Sequence, residues 1–359
     1  MIELSIVLIS KNQAWNIARL IESVLQATSS IAMVEILLVD SASTDETVEV
    51  ASRYPITILR LRPGHRLSPA AGRYIGYKRT RGEFVLFLDG DMELLQGWLG
   101  DALRIMRDSP RAGVMMSSRV IDMVPPAGCE PTSAAETVHI VAPREMSDVS
   151  FVAGGAALYR HSVLEEVGSF NPYLYSDEEP ELYLRIRRAG YRVVLLDQPM
   201  VRHFSVASVP ESVSVVLSRR RRNFLRGVGQ CMRYHLSDKL LWPYISERGS
   251  WSLVPAFWLA AGLASFLASL LTGNLIWSGL WFGLTAFAIA SAALKKRSLR
   301  RALVAAFHRL LMVEGLIRGF LMKPLSPESY PQNAELLQEA DSKRAFVQLQ
   351  REALRPSHI

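Results

Sequence analysis

Two carboxylates flank one glycine at Asp89-Gly90-Asp91, directly after a run of five apolar residues that closes the segment EFVLFLD. Side chains from one short loop after a buried strand can approach a single small, hard cation together. Mg²⁺ and Mn²⁺ prefer oxygen ligands and leave positions for water or for substrate phosphates. A cation held there would neutralise a diphosphate and favour its departure as a leaving group. A second concentration of acid lies in DEEPELYLRIRR, where Asp177, Glu178, Glu179 and Glu181 precede or open a helix. Acids at a helix N-terminus complement the macrodipole, but four within five residues exceed what capping needs. Their repulsion raises at least one carboxyl pKa, which suits a general base; the spacing leaves open which one. His203 ends the strand-like segment VVLLDQPMVRHF and is a candidate metal ligand.

These groups need elements to position them. Ile2–Ser10, Glu35–Asp40, Ile56–Leu61 and Glu83–Asp89 are apolar runs of strand length. Helical periodicity over Asn16–Ala27, Thr44–Ser52 and Gly72–Thr80 alternates with them. Strand–helix alternation at this spacing predicts an α/β domain with a mostly parallel sheet and helices on its faces. Such sheets bind ligands at the carboxyl ends of their strands, where Ser10-Lys11-Asn12, Asp40-Ser41-Ala42-Ser43 and Asp89-Gly90-Asp91 all fall. The chain has no G-x-G-x-x-G and no Walker loop, so dinucleotide and P-loop readings lose their support.

A chain of 359 residues with 49% hydrophobic and 21% charged content has enough material for two or three folded units and is not a disordered polymer. Its two cysteines, Cys129 and Cys231, are too few for a disulfide framework or a cysteine-rich zinc site, which favours a reducing compartment. Residues 1–210 carry 21 Lys/Arg against 25 Asp/Glu, and residues 211–359 carry 20 against 9. A nucleic-acid binder would spread its basic charge over the folded domain; here the excess sits wholly in the second part, and no nucleic-acid partner is expected. Between Arg248 and Lys295 lie 46 residues without one Asp, Glu, Lys, Arg or His. A bilayer core needs about 20 apolar residues per helix, so two crossings are predicted, Trp251–Thr272 and Leu275–Leu294, turning at Gly273-Asn274. Trp251, Trp258, Trp277 and Trp281 suit interfacial depths. Basic clusters flank both ends, Arg219–Arg222 to Arg248 before and Lys295–Arg301 after, so both termini and the α/β domain are expected on the cytoplasmic side. No signal peptide is expected, because MIELSIVLIS lacks a basic leader and runs straight into a strand.

The predicted organisation is thus an α/β domain over 1–210 and a basic interfacial segment over 211–250. A two-helix hairpin over 251–294, a basic amphipathic helix lying on the membrane over 295–323, and a polar tail of loose helix over 324–359 follow.

SIVLISKN, EILLVDSASTDET, GRYIGYKRTRGEFVLFLDGDMEL and GGAALYRHSVLEEVGSFNPYLYSDEEPELYLRIRRAGYRV resemble, in order and spacing, the inverting family-two glycosyltransferases of GT-A fold. The likeness covers roughly residues 2–205. It implies that Asp40 contacts a nucleotide base in a pocket shaped by Ser10, Asn12 and Ser41. Asp89 and Asp91 would hold a sugar-nucleotide diphosphate through Mg²⁺ or Mn²⁺, with His203 near the metal. Arg73 would belong to the donor site, and Gly154-Gly155 would line the acceptor side. Glu178-Glu179 aligns with the family's Glu-Asp pair, making Glu179 the leading base and Glu178 its neighbour. Gln230 and Arg233, in QCMRY, resemble the Gln-x-x-Arg-Trp motif of membrane polysaccharide synthases and would contribute to the acceptor site. The resemblance therefore implies a metal-dependent inverting transferase, with a nucleotide-sugar donor and a membrane-associated saccharide or lipid acceptor.

The chain also departs from the family. Asp40-Ser41-Ala42-Ser43 stands where Asp-Asp-Gly-Ser is common, Arg73-Tyr74 where Arg-Asn is common, and Glu179 in place of the commoner Asp. Two other readings remain: a polyprenyl-phosphate sugar synthase, whose anionic acceptor needs no strong base, and a non-catalytic membrane scaffold that keeps the fold. Intact Asp89, Asp91 and the acidic pair speak against the scaffold.

Overall fold

The computed structural model describes residues 2–123, 137–140, 146–148, 155–204 and 212–340. The chain divides into two compact units, one formed by Met1–Tyr173, Glu178–Ser208 and Leu325–Ile359, the other by Leu174–Asp177 and Val209–Pro324.

Among the described residues, the first unit is built on a sheet of eleven strands. They are β1 (Leu4–Ser10), β2 (Val34–Asp40), β3 (Thr57–Arg60), β4 (Phe84–Asp89), β5 (Met92–Leu94) and β6 (Ala112–Met123). The others are β7 (Thr137–Ile140), β8 (Met146–Asp148), β9 (Ala157–Arg160), β10 (Arg192–Phe204) and β11 (Glu335–Gln338). The main order is β11-β3-β2-β1-β4-β9-β6-β10-β5. Parallel pairing runs from β3 through β2 and β1 to β4, and again between β6 and β10. The remaining pairs are antiparallel, so the sheet as a whole is mixed.

Strand β1 is buried along its whole length, as a central strand covered on both faces must be. Its alternation divides the core. Leu4, Ile6 and Leu8 join one hydrophobic cluster, Val7 and Ile9 the other. Helices α1 (Ile17–Ala27), α2 (Thr47–Ala51) and α4 (Trp98–Asp108) contribute to the first cluster. Helices α3 (Pro69–Tyr77), α5 (His161–Val167) and α6 (Glu178–Arg188) contribute to the second.

Two helix starts differ from the periodicity for local reasons. Helix α3 begins at Pro69 because Ser68 caps the Ala71 amide and proline is favoured in a first turn. Helix α2 is shorter than its pattern, because Thr44 and Asp45 spend their groups on the β1 loop: Asn12 Oδ1 accepts from the Thr44 amide, and Asp45 Oδ2 accepts from the Ala14 amide. In register, Ser10 lies opposite Asp40 and Ile9 opposite Asp89. The polar ends of β1, β2 and β4 therefore share one rim of the sheet, where the chain crosses from the β2 side to the β4 side.

The second unit is helical. The basic segment expected over 211–250 opens with α7 (Val213–Arg221), a 3₁₀ turn (Phe224–Arg226) and α8 (Gly227–Tyr234), with Asn223 at φ 62°. After α9 (Leu241–Tyr244) and a π-turn (Ile245–Gly249) come α10 (Ser250–Thr272), α11 (Ile276–Lys296) and α12 (Leu299–Phe320). Two helical stretches, Leu241–Thr272 and Ile276–Lys296, are long and apolar enough to cross a membrane. Almost nothing in α10 and α11 is buried, and Phe257, Leu271, Leu275 and Phe287 stand largely exposed. The pair is joined by polar contacts: Trp258 Nε1 donates to Thr285 Oγ1 at 3.1 Å, and the Ser278 hydroxyl to that of Ser269 at 2.8 Å. Helix α12 meets α8 and the preceding 3₁₀ turn backbone to backbone. A Cβ on Gly319 would lie 2.1 Å from the Arg226 carbonyl, and one on Gly229 2.1 Å from that of Leu316.

Candidate active site

Three carboxylates of the first unit surround one buried arginine. Arg73, on α3, is 2% exposed. Its Nη1 donates to Glu178 Oε1 at 2.8 Å and its Nη2 to Asp89 Oδ1 at 2.7 Å, while Glu179 Oε1 stands 3.9 Å from Nη2. The guanidinium also lies 5.8 Å from the Phe170 ring centroid. Burial works against the Arg73 charge, but Asp89, Glu179 and Glu178 outweigh it and raise the guanidinium pKa. Burial raises the Asp89 carboxyl to about 7 despite the opposing pull of Arg73; Asp91, Glu179 and Glu178 add to the rise. Burial likewise lifts the Tyr159 and Tyr183 phenols, with Glu179 reinforcing it, so both remain neutral.

Backbone fit holds the Asp89-Gly90-Asp91 turn. Asn16 Nδ2 donates to the Gly90 carbonyl at 3.0 Å and the Met92 carbonyl at 2.9 Å. Gly155 has φ 70°, and a Cβ there would sit 2.0 Å from Asp89 Oδ2. Asp91 lies beside the end of β10: its carbonyl accepts from the Phe204 amide at 2.8 Å, and its Oδ2 lies 3.5 Å from His203 Nε2. Among the described residues no three His, Cys, Asp or Glu side chains already form a metal cage. The residues nevertheless fit a divalent cation. Asp89, Asp91 and His203 are 31%, 29% and 23% exposed at their side chains, so their donor atoms remain reachable. Three carboxylates, Asp89, Glu178 and Glu179, share the positive charge of Arg73, and Asp91 acts on Asp89 beside them, which leaves negative charge for a cation to balance.

The ends of β1 and β2 form a second polar cluster. Asn12, at φ 56°, donates its amide to Ser43 Oγ at 2.8 Å and locks the two loops together. The Ser41 amide donates to the Ser10 carbonyl at 2.8 Å. Asp40 is fully buried; its Oδ2 accepts from the Ser43 amide at 2.9 Å and lies 3.5 Å from Arg60 Nε. Asp40 Oδ1 and Ser10 Oγ are buried with no hydrogen-bond partner, a state that bound polar groups would relieve.

The sequence reading missed Asn16, Asp45 and Arg60. Each acts across 15 or more positions of sequence, and no local pattern marks them. Of the expected acceptor residues, Gly155 abuts Asp89, and Gly154 lies outside the described residues. Gln230 and Arg233 belong to the second unit. There Gln230 Oε1 accepts from the Tyr175 amide at 3.0 Å, and Arg233 lies over the Phe320 ring.

A mixed sheet with acidic and loop-clamped groups gathered at one rim defines a GT-A glycosyltransferase domain. Residues 5–168 match the family described as Glycosyl transferase family 2, and the chain carries a domain of that family. A pre-mycofactocin glycosyltransferase of Mycobacterium tuberculosis is 27% identical over 202 residues, 53% of this chain and 40% of its own length. The chain thus spans less than half the length of that relative. Glycosyltransferase AglE of Haloferax volcanii is 26% identical over 191 residues, 52% of this chain and 62% of its own. Among solved structures, a mannosyltransferase from Pyrobaculum calidifontis in complex with GDP-Man and Mn²⁺ shares the fold, with a TM-score of 0.58 and 16% identity. That match covers 89% of this chain and 87% of the other.

Proposed function

We propose that this chain transfers a sugar from a nucleotide-sugar donor to a hydroxyl of a membrane-associated acceptor, with inversion at the anomeric carbon. The observation that carries this reading is the gathering of Asp89, Glu178 and Glu179 around Arg73, beside the Asp91–His203 pair. One end of such a site holds a diphosphate and the other activates a hydroxyl. Asp89, Asp91 and His203 would hold Mg²⁺ or Mn²⁺, which when bound supplies charge to the departing nucleoside diphosphate. The loops closed by Asn12, Ser43 and Asp45 receive the nucleotide, and Asp40 Oδ1 and Ser10 Oγ accept its polar groups.

Glu179 is assigned the proton. Glu178 is held in a close charge-assisted bond with Arg73 at 2.8 Å, whereas Glu179 stands 3.9 Å off. Glu179 takes the proton of the acceptor hydroxyl as its oxygen attacks the anomeric carbon on the face opposite the leaving group. Arg73 holds Glu178 and Asp89 in fixed positions, so the general base faces a preorganised site. The presence of two helices long and apolar enough to cross a membrane supports an acceptor that is itself in the membrane.

The test is release of nucleoside diphosphate by the detergent-purified chain from UDP-, GDP- and dTDP-sugars, with and without Mn²⁺, in the presence of a polar lipid extract. GDP-mannose and Mn²⁺ come first, because the Pyrobaculum enzyme was captured with both. Metal-dependent turnover of one donor, stimulated by the extract, is expected. Absence of both turnover and donor binding by calorimetry would overturn the reading in favour of a scaffold.

A further inference from the structure

The four residues before α6 belong to the second unit, although α6 itself belongs to the first. Each of the last three is gripped. The Tyr175 amide donates to Gln230 Oε1 at 3.0 Å, and the Ser176 hydroxyl donates to the Phe224 carbonyl at 2.6 Å. Gly227 is required there, because a Cβ would fall 2.1 Å from Ser176 Oγ and 2.4 Å from its carbonyl oxygen. Asp177, 8% exposed at its side chain, accepts from Arg248 Nη2 at 2.6 Å and from the buried Tyr244 hydroxyl. Its backbone is held at φ 64°, in the left-handed region that favours glycine. Strain of this kind persists only where surrounding contacts over-determine it. Arg248 lies in the π-turn Ile245–Gly249, which runs directly into α10. Glu178, the next residue after Asp177, is the first of α6.

We propose that Asp177, clamped by Arg248 and Tyr244, is a positioning residue that fixes the first turn of α6 and so the placement of the Glu178-Glu179 pair. The coupling runs through the peptide bond from Asp177 to Glu178. It makes the geometry of the proposed base depend on the chain at the entrance to the first apolar helix. This rests on the assignment of the base to that pair.

The substitutions are Asp177→Asn, which tolerates the same φ but removes the charge, and Arg248→Ala beside Arg248→Lys. All are made in the full chain in detergent. Two readouts are taken, the first independent of any substrate. Hydrogen exchange of the Glu178, Glu179, Glu181, Leu182 and Tyr183 amides is expected to quicken at least tenfold in Asp177→Asn and Arg248→Ala, with β1 to β4 unchanged and partial recovery in Arg248→Lys. Unchanged exchange in that turn overturns the proposal.

The second readout is turnover of GDP-mannose, or of whichever nucleotide sugar the panel selects, with Mn²⁺ and the lipid extract. Asp177→Asn is expected to lower kcat about tenfold with donor binding unaltered, and to lower it no further in a Glu179→Gln background. Equal further loss in that background means Asp177 acts elsewhere and overturns the proposal. If Glu179→Gln keeps full kcat, the base assignment itself falls, and the cycle is read on Glu178→Gln; additive losses with both overturn the clamp as well.

Discussion

Arg73 is the counter-ion on which the first unit's acidic site depends. Its two short bonds reach Asp89, 16 residues on, and Glu178, 105 residues on. Removing one partner of a buried ion cluster costs far more than the cluster contributes, because the remaining charges stay desolvated and unpaired. Arg73→Met is therefore expected to lower stability by about 3 kcal/mol, read as a shifted urea midpoint. Arg73→Lys keeps one charge but loses the fork that spans two carboxylates; it is expected to fold and to lose turnover by about a hundredfold, or about 2.7 kcal/mol. A wild-type rate for Arg73→Lys would show that the fork is dispensable. Asp91→Asn removes the anionic oxygen that lies 3.5 Å from His203 Nε2. Mn²⁺ affinity, read by electron paramagnetic resonance of free Mn²⁺, is expected to fall at least tenfold in this variant; unchanged affinity would remove Asp91 from the metal set. The carboxylates themselves were legible in the sequence, because a strand pattern ending in Asp-Gly-Asp fixes where they must emerge. The arginine's role was not, since it is defined by partners that only the folded sheet brings together. Asp40 shows the same limit: the family resemblance implied a contact with a base, but its full burial and its contacts with Ser43 and Arg60 come from residues up to 20 positions away.

Among the elements, the strand following the apolar helices departs most from its local sequence. NAELLQEA has the composition of a helix, and a polar helical tail is its natural reading. Instead Glu335–Gln338 pairs antiparallel with β3, and Gln338 Nε2 donates to the Tyr54 and Ile56 carbonyls. An open sheet edge supplies a row of unpaired backbone groups, and satisfying them overrides a weak propensity. Just before it, Tyr330 is 2% exposed, edge-on to Tyr74, Tyr173 and His65, and its hydroxyl donates to the Arg66 carbonyl at 2.8 Å. The segment thus pins the loop that leads into α3 and Arg73. Tyr330→Ala is expected to cost about 3 kcal/mol, measured by thermal unfolding of the first unit's near-ultraviolet signal. Tyr330→Phe is expected to cost about 1 kcal/mol, the worth of the hydroxyl's bond. If Tyr330→Ala unfolds like wild type, the segment is an ornament on the sheet rather than a strap. The strands at the start of the chain were readable because their apolar runs are long and bounded by polar ends. This last strand has only four residues, and its partner lies some 270 positions away.

For the molecule as a whole, the sequence settled where the two apolar helices lie, because an uncharged run of 46 residues admits few other readings. It did not disclose that residues on both sides of that run return to different units: Leu174–Asp177 to the second, Leu325 onward to the first. Charge predicts an orientation. Arg248 precedes α10, Lys295 and Lys296 end α11, and Arg297, Arg300 and Arg301 follow at once, whereas the turn at Gly273-Asn274 carries no charge. Basic residues within about 20 positions of a span favour the cytoplasmic side, so the expected outcome is both ends of the hairpin there and a turn that crosses. Asn274→Cys, in a background without the native cysteines, is expected to react with a membrane-impermeant maleimide in intact cells. Lys296→Cys is expected to react only after permeabilisation. The opposite pattern would invert the topology and put both ends of the hairpin on the other side of the membrane. Labelling of both sites in intact cells would mean that the hairpin lies on the bilayer without crossing it. That outcome would leave the chemistry at Arg73 untouched and change only which acceptors can reach it.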